Sequence, residues 1–220
     1  MVCVGYVGCE IYDLVLYMSR ILTKLNFKVL IVDLSDSSAL LNSIKHGMEL
    51  DSGKEIINYR SINYIRKIPS KDDMDIFDHG VVFVVHGNKL MNTSQFEYKS
   101  LNVVVDIFPH RIEAVSKSLL ASKWALNEIN VLIRDIITEE DVQRGMEQIK
   151  CPMKPGRISY LYHDINDYEC AIECQTSQIV RFTKISKGAK RYMIEQIHEM
   201  LPQLSVKRIK RAMVLAKRGV

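Results

Sequence analysis

Phe27–Leu34 reads FKVLIVDL, an apolar run without the alternation expected of a strand that faces water on one side. It is far too short to span a membrane. A short continuous run of this kind suits a strand buried on both faces, as in parallel sheets covered by helices on each side. Val81–Val85 (VVFVV) has the same character, and Leu101–Ile107 and Ile129–Ile133 repeat it. Between these runs the apolar period changes. Ile11, Leu14, Val15, Met18, Ile21, Leu22 and Leu25 fall at helical spacing and mark one buried helix face. Ser38–Met48 and Ile112–Ser122 also read as helices, as does Glu139–Ile149, whose acids stand in the first turn where the helix dipole favours them. The alternation predicts an α/β fold: a doubly wound, mainly parallel sheet with helices on both faces, in three layers.

The remaining segments complete this expectation. Met1–Val4 opens the chain as a short strand ended by Gly5, and Ile56–Tyr59 and Tyr64–Ile68 are short strand-like pieces. Pro152, Pro155 and Gly156 mark a loop, Ile158–Tyr162 reads as the last core strand, and Gln178–Ile185 as one more strand at an edge. Ser186–Leu201 and Ser205–Lys217 read as two closing helices separated around Pro202. The acid-rich stretch Lys71–Asp75 reads as a solvated loop, and Tyr59, Tyr64, Tyr160, Tyr162 and Tyr168 as half-buried strand surface. No repeat or low-complexity segment interrupts the chain. Residues 1–204 are expected to form the α/β domain, with 205–220 a basic amphipathic helix belonging to it.

Composition sets the outer bounds. A chain of 220 residues can bury a sizeable core, and 47% hydrophobic with 25% charged residues argues against disorder. No apolar run reaches the roughly 18 residues of a membrane span, and no basic segment precedes an N-terminal apolar stretch as in a secretory signal. Cys3, Cys9, Cys151, Cys170 and Cys174 are odd in number, which argues against a disulfide framework and for a reducing, cytoplasmic setting. Cys170 and Cys174 could face each other on one helical turn, but no second pair or suitably spaced histidine accompanies them, so no metal site is expected. The net charge of +4 is uneven. Ser205–Val220 holds Lys207, Arg208, Lys210, Arg211, Lys217 and Arg218 and no acid, a local +6 that leaves the rest at −2.

In a doubly wound sheet ligands sit beyond the carboxyl ends of the strands, so the first strand-to-helix turn is the place to look for chemistry. It reads Gly5-Tyr6-Val7-Gly8-Cys9-Glu10-Ile11-Tyr12. Against the phosphate-binding pattern G-x-x-x-x-G-K-[ST], Gly5 matches the first glycine, Glu10 stands at the second, Ile11 at the lysine and Tyr12 at the hydroxyl residue. Isoleucine cannot neutralise phosphate, tyrosine is too long to hold Mg²⁺ in the place of Ser or Thr, and glutamate at the mouth repels a triphosphate.

The layout nonetheless resembles the MinD/ParA family of P-loop ATPases, in which the first helix is followed by a strand like VLLIDLD. The corresponding stretch is Val29-Leu30-Ile31-Val32-Asp33-Leu34-Ser35-Asp36. The resemblance assigns Asp33 the place of the family's catalytic aspartate. It sets Phe77-Asp78-His79-Gly80 followed by Val81–Val85 on the strand that ends in the family's second Mg²⁺-binding aspartate, where His86 stands instead. Among relatives with eroded phosphate loops, the pilus-assembly branch of the TadZ/CpaE type is similar in style. The resemblance implies a P-loop fold whose hydrolytic residues are lost, with Gly5, Gly8, Glu10, Ile11, Tyr12, Asp33 and His86 as the remnant of the nucleotide site. No cofactor is expected, ATP or ADP binding weakly if at all.

What it implies functionally is a non-catalytic positioning or assembly scaffold that works through protein partners, with a homodimer across the nucleotide face. A divergent ATPase drawing its lysine from Lys45 or Lys89 is the alternative within the family, and a partition protein binding nucleic acid through the basic tail is the least favoured reading. Plainer roles stand beside these: a tight turn for Gly5 and Gly8, a cap for Asp33, a hydrogen-bonded structural residue for His86. In the C-terminal helix, Ile209 and Met213 share one face while Lys207, Arg208, Arg211 and Arg218 fall largely on the other. Such a helix can lie on an anionic membrane at the inner face of the cell or dock a partner, but its small apolar residues favour packing on the domain with the basic face in water.

Overall fold

The computed structural model describes residues 1–37, 39–44, 56–88, 96–121, 128–151 and 153–218. Lys45, Lys89 and Pro152 lie outside the described residues. The strands are β1 (Val2–Gly8), β2 (Val29–Asp33), β3 (Ile57–Tyr59), β4 (Ile62–Ile65), β5 (Val81–Val85), β6 (Ser100–Val105), β7 (Glu128–Ile136) and β8 (Lys154–Tyr162). They form one eight-stranded sheet in the order β3-β4-β2-β5-β1-β6-β7-β8, parallel throughout except that β3 runs antiparallel to β4. β1 lies between β5 and β6, so the chain winds to one side through β2 and to the other through β6. That reversal is a topological switch point, with a crevice at the carboxyl ends.

The continuous apolar strands are buried on both faces. From β2, Val29 and Ile31 enter one hydrophobic cluster while Leu30 and Val32 enter another on the opposite face. The helix α1 (Tyr12–Lys24) covers the first face and is buried without a break from Asp13 to Leu22. A helix buried all round needs cover on its outer side as well. That cover comes from α8 (Val206–Ala216), whose Ile209, Ala212, Met213 and Ala216 are buried, together with α7 (Lys187–Met200). On the opposite face, α4 (Pro109–Ala121) closes over the sheet through Ile112, Val115 and Leu119, and α5 (Glu139–Gln148) through Val142 and Met146. α2 (Ala39–Ile44) joins the first face.

Four local expectations are corrected. Gln178–Ile185 is not a strand: it is irregular chain whose Val180, Phe182 and Ile185 are buried, so its apolar residues fill the core without pairing to the sheet. Pro155 and Gly156 belong to β8 rather than to a loop, and β8 is an edge strand, where a residue lacking an N–H is tolerated. Lys71–Asp75 is a short helix (α3), begun by a reciprocal cap in which Ser70 accepts from the Asp73 N–H and Asp73 accepts from the Ser70 N–H. Tyr168 lies not on a strand but on α6 (Ile165–Ser177), whose N-cap Asp164 accepts from the Asn166 N–H. The spacing of Cys170, Ala171 and Cys174, all buried, is the local signal for α6.

Candidate functional site

β1 carries through to Gly8, four residues past the break expected at Val4. Gly5 therefore sits inside the strand, paired with Val84 and Leu101, and not at the head of a phosphate loop. A Cβ there would come within 2.6 Å of Leu101 Cδ1 and 2.9 Å of Tyr98 Cε1, so glycine at this position makes room for neighbouring side chains. The turn begins at Gly8, whose φ of +112° and whose missing Cβ, which would stand 2.0 Å from the Val104 carbonyl oxygen, require glycine. Only Cys9, Glu10 and Ile11 separate it from α1. The Gly8 N–H donates to the Gly87 carbonyl and the Cys9 N–H to the Val104 carbonyl, both at 2.8 Å. These amides are committed to the chain and cannot cradle phosphate. Ile11, set against the lysine position, is a core residue 1% exposed.

A side chain from across the sheet braces the start of α1. Arg134, in β7, donates from Nη1 and Nη2 to the two carboxylate oxygens of Asp13, each at 3.1 Å, and from Nη1 to the Glu10 carbonyl at 2.7 Å. Its Nε lies 3.4 Å from Asp135. Burial alone would lower the Arg134 pKa, but Asp13 and then Asp135 outweigh it and hold the guanidinium charged. A carboxylate of the chain thus already occupies the first turn of the helix, and a cation already neutralises it.

Beside this pair lies a pocket of about 170 Å³, walled by Cys9, Tyr12, Asp106, Tyr162, Asp167 and Tyr168 among others. Its second cation, Arg111, donates to Asp106 at 2.6 Å. Asp167 accepts from the Ser186 N–H and Oγ, both at 2.6 Å, and burial raises its pKa in spite of these bonds. Cys9 is a thiol pushed up to about 12, by burial first and by Asp106 next. Both arginines are committed and carboxylates outnumber them, so the pocket disfavours phosphate.

Asp33 and His86 stand at neighbouring strand ends, Asp33 being in register with Val85. Asp33 is 1% exposed, and both its oxygens are engaged: Oδ1 accepts from the Ser35 N–H at 3.0 Å and Oγ at 2.5 Å, and Oδ2 from the Tyr64 hydroxyl at 2.8 Å. Burial raises its pKa, and the bonds from Ser35 and Tyr64 pull it back. His86 is fully buried; its Nε2 shares a 2.7 Å hydrogen bond with the Tyr98 hydroxyl, and desolvation lowers its pKa to about 4. The strand ends thus bring together Gly8, Asp33 and His86, while Glu10 and Tyr12 turn toward Arg134 and Ile11 toward the core.

Three solved structures are similar across nearly the whole chain. MinD cell division protein from Aquifex aeolicus matches with a TM-score of 0.59 at 11% identity, covering 97% of this chain and 98% of that one. The MinC:MinD cell division protein complex of Aquifex aeolicus gives 0.56 at 11%, covering 97% and 96%. A ParA family ATPase from Chlorobium tepidum TLS gives 0.52 at 12%, covering 89% and 97%. The chain has a MinD/ParA-like fold. No protein-family model matches the sequence, and no curated protein matches it.

Within this MinD/ParA-like fold the sequence had not singled out Arg134 and Asp13. The available signal was a lone arginine following the apolar run of β7, on the strand two places from β1. In α8, Ile209 and Met213 are buried against the domain, whereas Lys207, Arg208 and Arg211, and Arg218 just beyond the helix, are exposed. Among the described residues no helix is long and apolar enough to cross a membrane, and no cluster of three His, Cys, Asp or Glu could hold a metal ion.

Proposed function

We propose that this protein is a non-catalytic scaffold of MinD/ParA-like fold, which positions or assembles other proteins without turning over nucleotide. One observation carries this reading: the turn after β1 is three residues long, the Gly8 and Cys9 amides that lead into it are bonded to the chain, and the Arg134–Asp13 pair stands at the first turn of the helix it opens. Asp33 points the same way, because Ser35 and Tyr64 engage both its oxygens within the chain. The MinC:MinD complex shows a protein of this fold engaged with a protein partner, and the same kind of partner is proposed here, with a homodimer across the strand ends as one form of it. Contact with proteins ranks ahead of contact with lipid, since the larger apolar residues predicted for a lipid face, Ile209 and Met213, are buried in the domain. An assembly role like that of the pilus-assembly branch fits this reading.

Calorimetry with ATP and ADP, with and without Mg²⁺, tests it. No heat of binding and no thermal stabilisation are expected. Micromolar binding accompanied by Mg²⁺-dependent turnover would overturn the proposal.

A further inference from the structure

The helices that close the fold form a second surface, which shares no residue with the strand-end pocket. α7 and α8 lie side by side and leave an open groove of about 690 Å³ between them. Its floor is apolar, made by Ile194 of α7 and by Met213 of α8, which is only 3% exposed. Val206 and Val214 line it and remain 39% and 57% exposed. Apolar side chains left accessible in a concave strip between helices have the form of a helix-in-groove docking site.

The charge around the groove says what would fit. Lys187 and Lys190 reach it from α7, Lys210 from α8 and Lys217 from the residue that follows α8. The one carboxylate in the lining, Glu195, is already paired with Arg157 and Arg191. None of the four lysines forms an ion pair among the described residues. Lys217 has its pKa lowered, by burial and then by the charge of Lys190 facing it. Like charges from two helices are thus held together over an apolar floor without a counter-anion. An anionic group laid between them would relieve that repulsion. A flat bilayer would meet the lysines at the rim before Ile194 on the floor, whereas the convex face of a helix follows a concave strip.

We propose that the α7–α8 groove docks an acidic amphipathic helix of a protein partner. Its apolar face lies on Ile194 and Val214, and its carboxylates pair with the four lysines. The inference is independent of whether nucleotide binds at the strand ends.

The test uses the full chain and a fluorescent peptide of about 14 residues, enough to span the groove at 1.5 Å per residue. The peptide carries Leu at i, i+3, i+4 and i+7 and Glu at most other positions. Micromolar binding is expected, with a scrambled peptide of the same composition at least about tenfold weaker. The double variant Lys190→Glu with Lys217→Glu should lose at least about tenfold for the Glu peptide and gain binding to its Lys-for-Glu counterpart. That exchange of preference also shows that the variant is folded. Equal binding of the scrambled peptide, or no exchange of preference, would overturn the proposal. So would vesicles of phosphatidylcholine and phosphatidylserine that bind the chain through these lysines while the peptide does not.

Discussion

Arg134→Met removes the charge that closes the first helix while keeping most of the apolar stem, which makes it a direct test of the strand-end reading. The Arg134 side chain is 17% exposed and that of Asp13 is 5% exposed, so the substitution leaves a carboxylate largely out of water. Breaking a buried pair on one side costs about 3–5 kcal/mol, because the remaining charge is unpaired. The amides at the start of α1 return up to about 1 kcal/mol to Asp13 through the helix dipole. The net loss should be about 3 kcal/mol, or a fall in Tm of roughly 6–12 °C for a chain of this size. Urea unfolding followed by circular dichroism measures it, provided the m-value is unchanged. Asp13→Asn and the double variant complete the cycle, and a coupling above about 1 kcal/mol is expected for groups in direct contact. A loss below about 1 kcal/mol with little coupling would mean that Arg134 does not neutralise Asp13 at the head of α1, and the first turn of the helix would be open to an outside anion.

Two further outcomes follow from the same geometry. Gly8→Ala places a Cβ 2.0 Å from the Val104 carbonyl oxygen at a φ of +112°, so a loss of at least about 2 kcal/mol or insoluble protein is expected, against a wild-type-like urea midpoint if the turn can relax. His86 has its folded pKa lowered to about 4 from an ordinary 6.5, so its contribution is fully present above pH 6.5 and lost as pH falls toward 4, where the unfolded chain takes up a proton that the folded one refuses. Wild-type stability should fall across that window by up to roughly 3 kcal/mol, and His86→Gln should flatten the slope; an unchanged slope would place the titration elsewhere.

Fold class was legible because burial on both faces leaves a local mark: FKVLIVDL and VVFVV show no alternation, and only a sheet covered on both sides can use such strands. The helical period of Ile11–Leu25 and the acids opening α5 were local marks of the same kind. Gln178–Ile185 misled because apolar residues in irregular chain leave the same trace as a short strand when no pairing partner is visible. Gly5 misled because a glycine at the right distance from a helix reads as a loop, whereas its pairing with Val84 and Leu101 depends on where β5 and β6 lie.

By itself, then, the sequence determined the layers of this protein, the place of β1 at the head of the fold and the positions of Asp33 and His86 at strand ends. These follow from periodicity and from neighbours along the chain. Only the tertiary structure decided that Arg134 and Asp13 meet at the start of α1, because they are 121 residues apart and come together only through the order of the strands. It also decided where the apolar residues of the basic C-terminal segment lie. Ile209 and Met213 could have faced lipid, a partner or the core, and the buried outer side of α1 required them. The α7–α8 groove has the same origin, since lysines of one sign come together only when two helices are packed side by side, and no local pattern records which helices those will be.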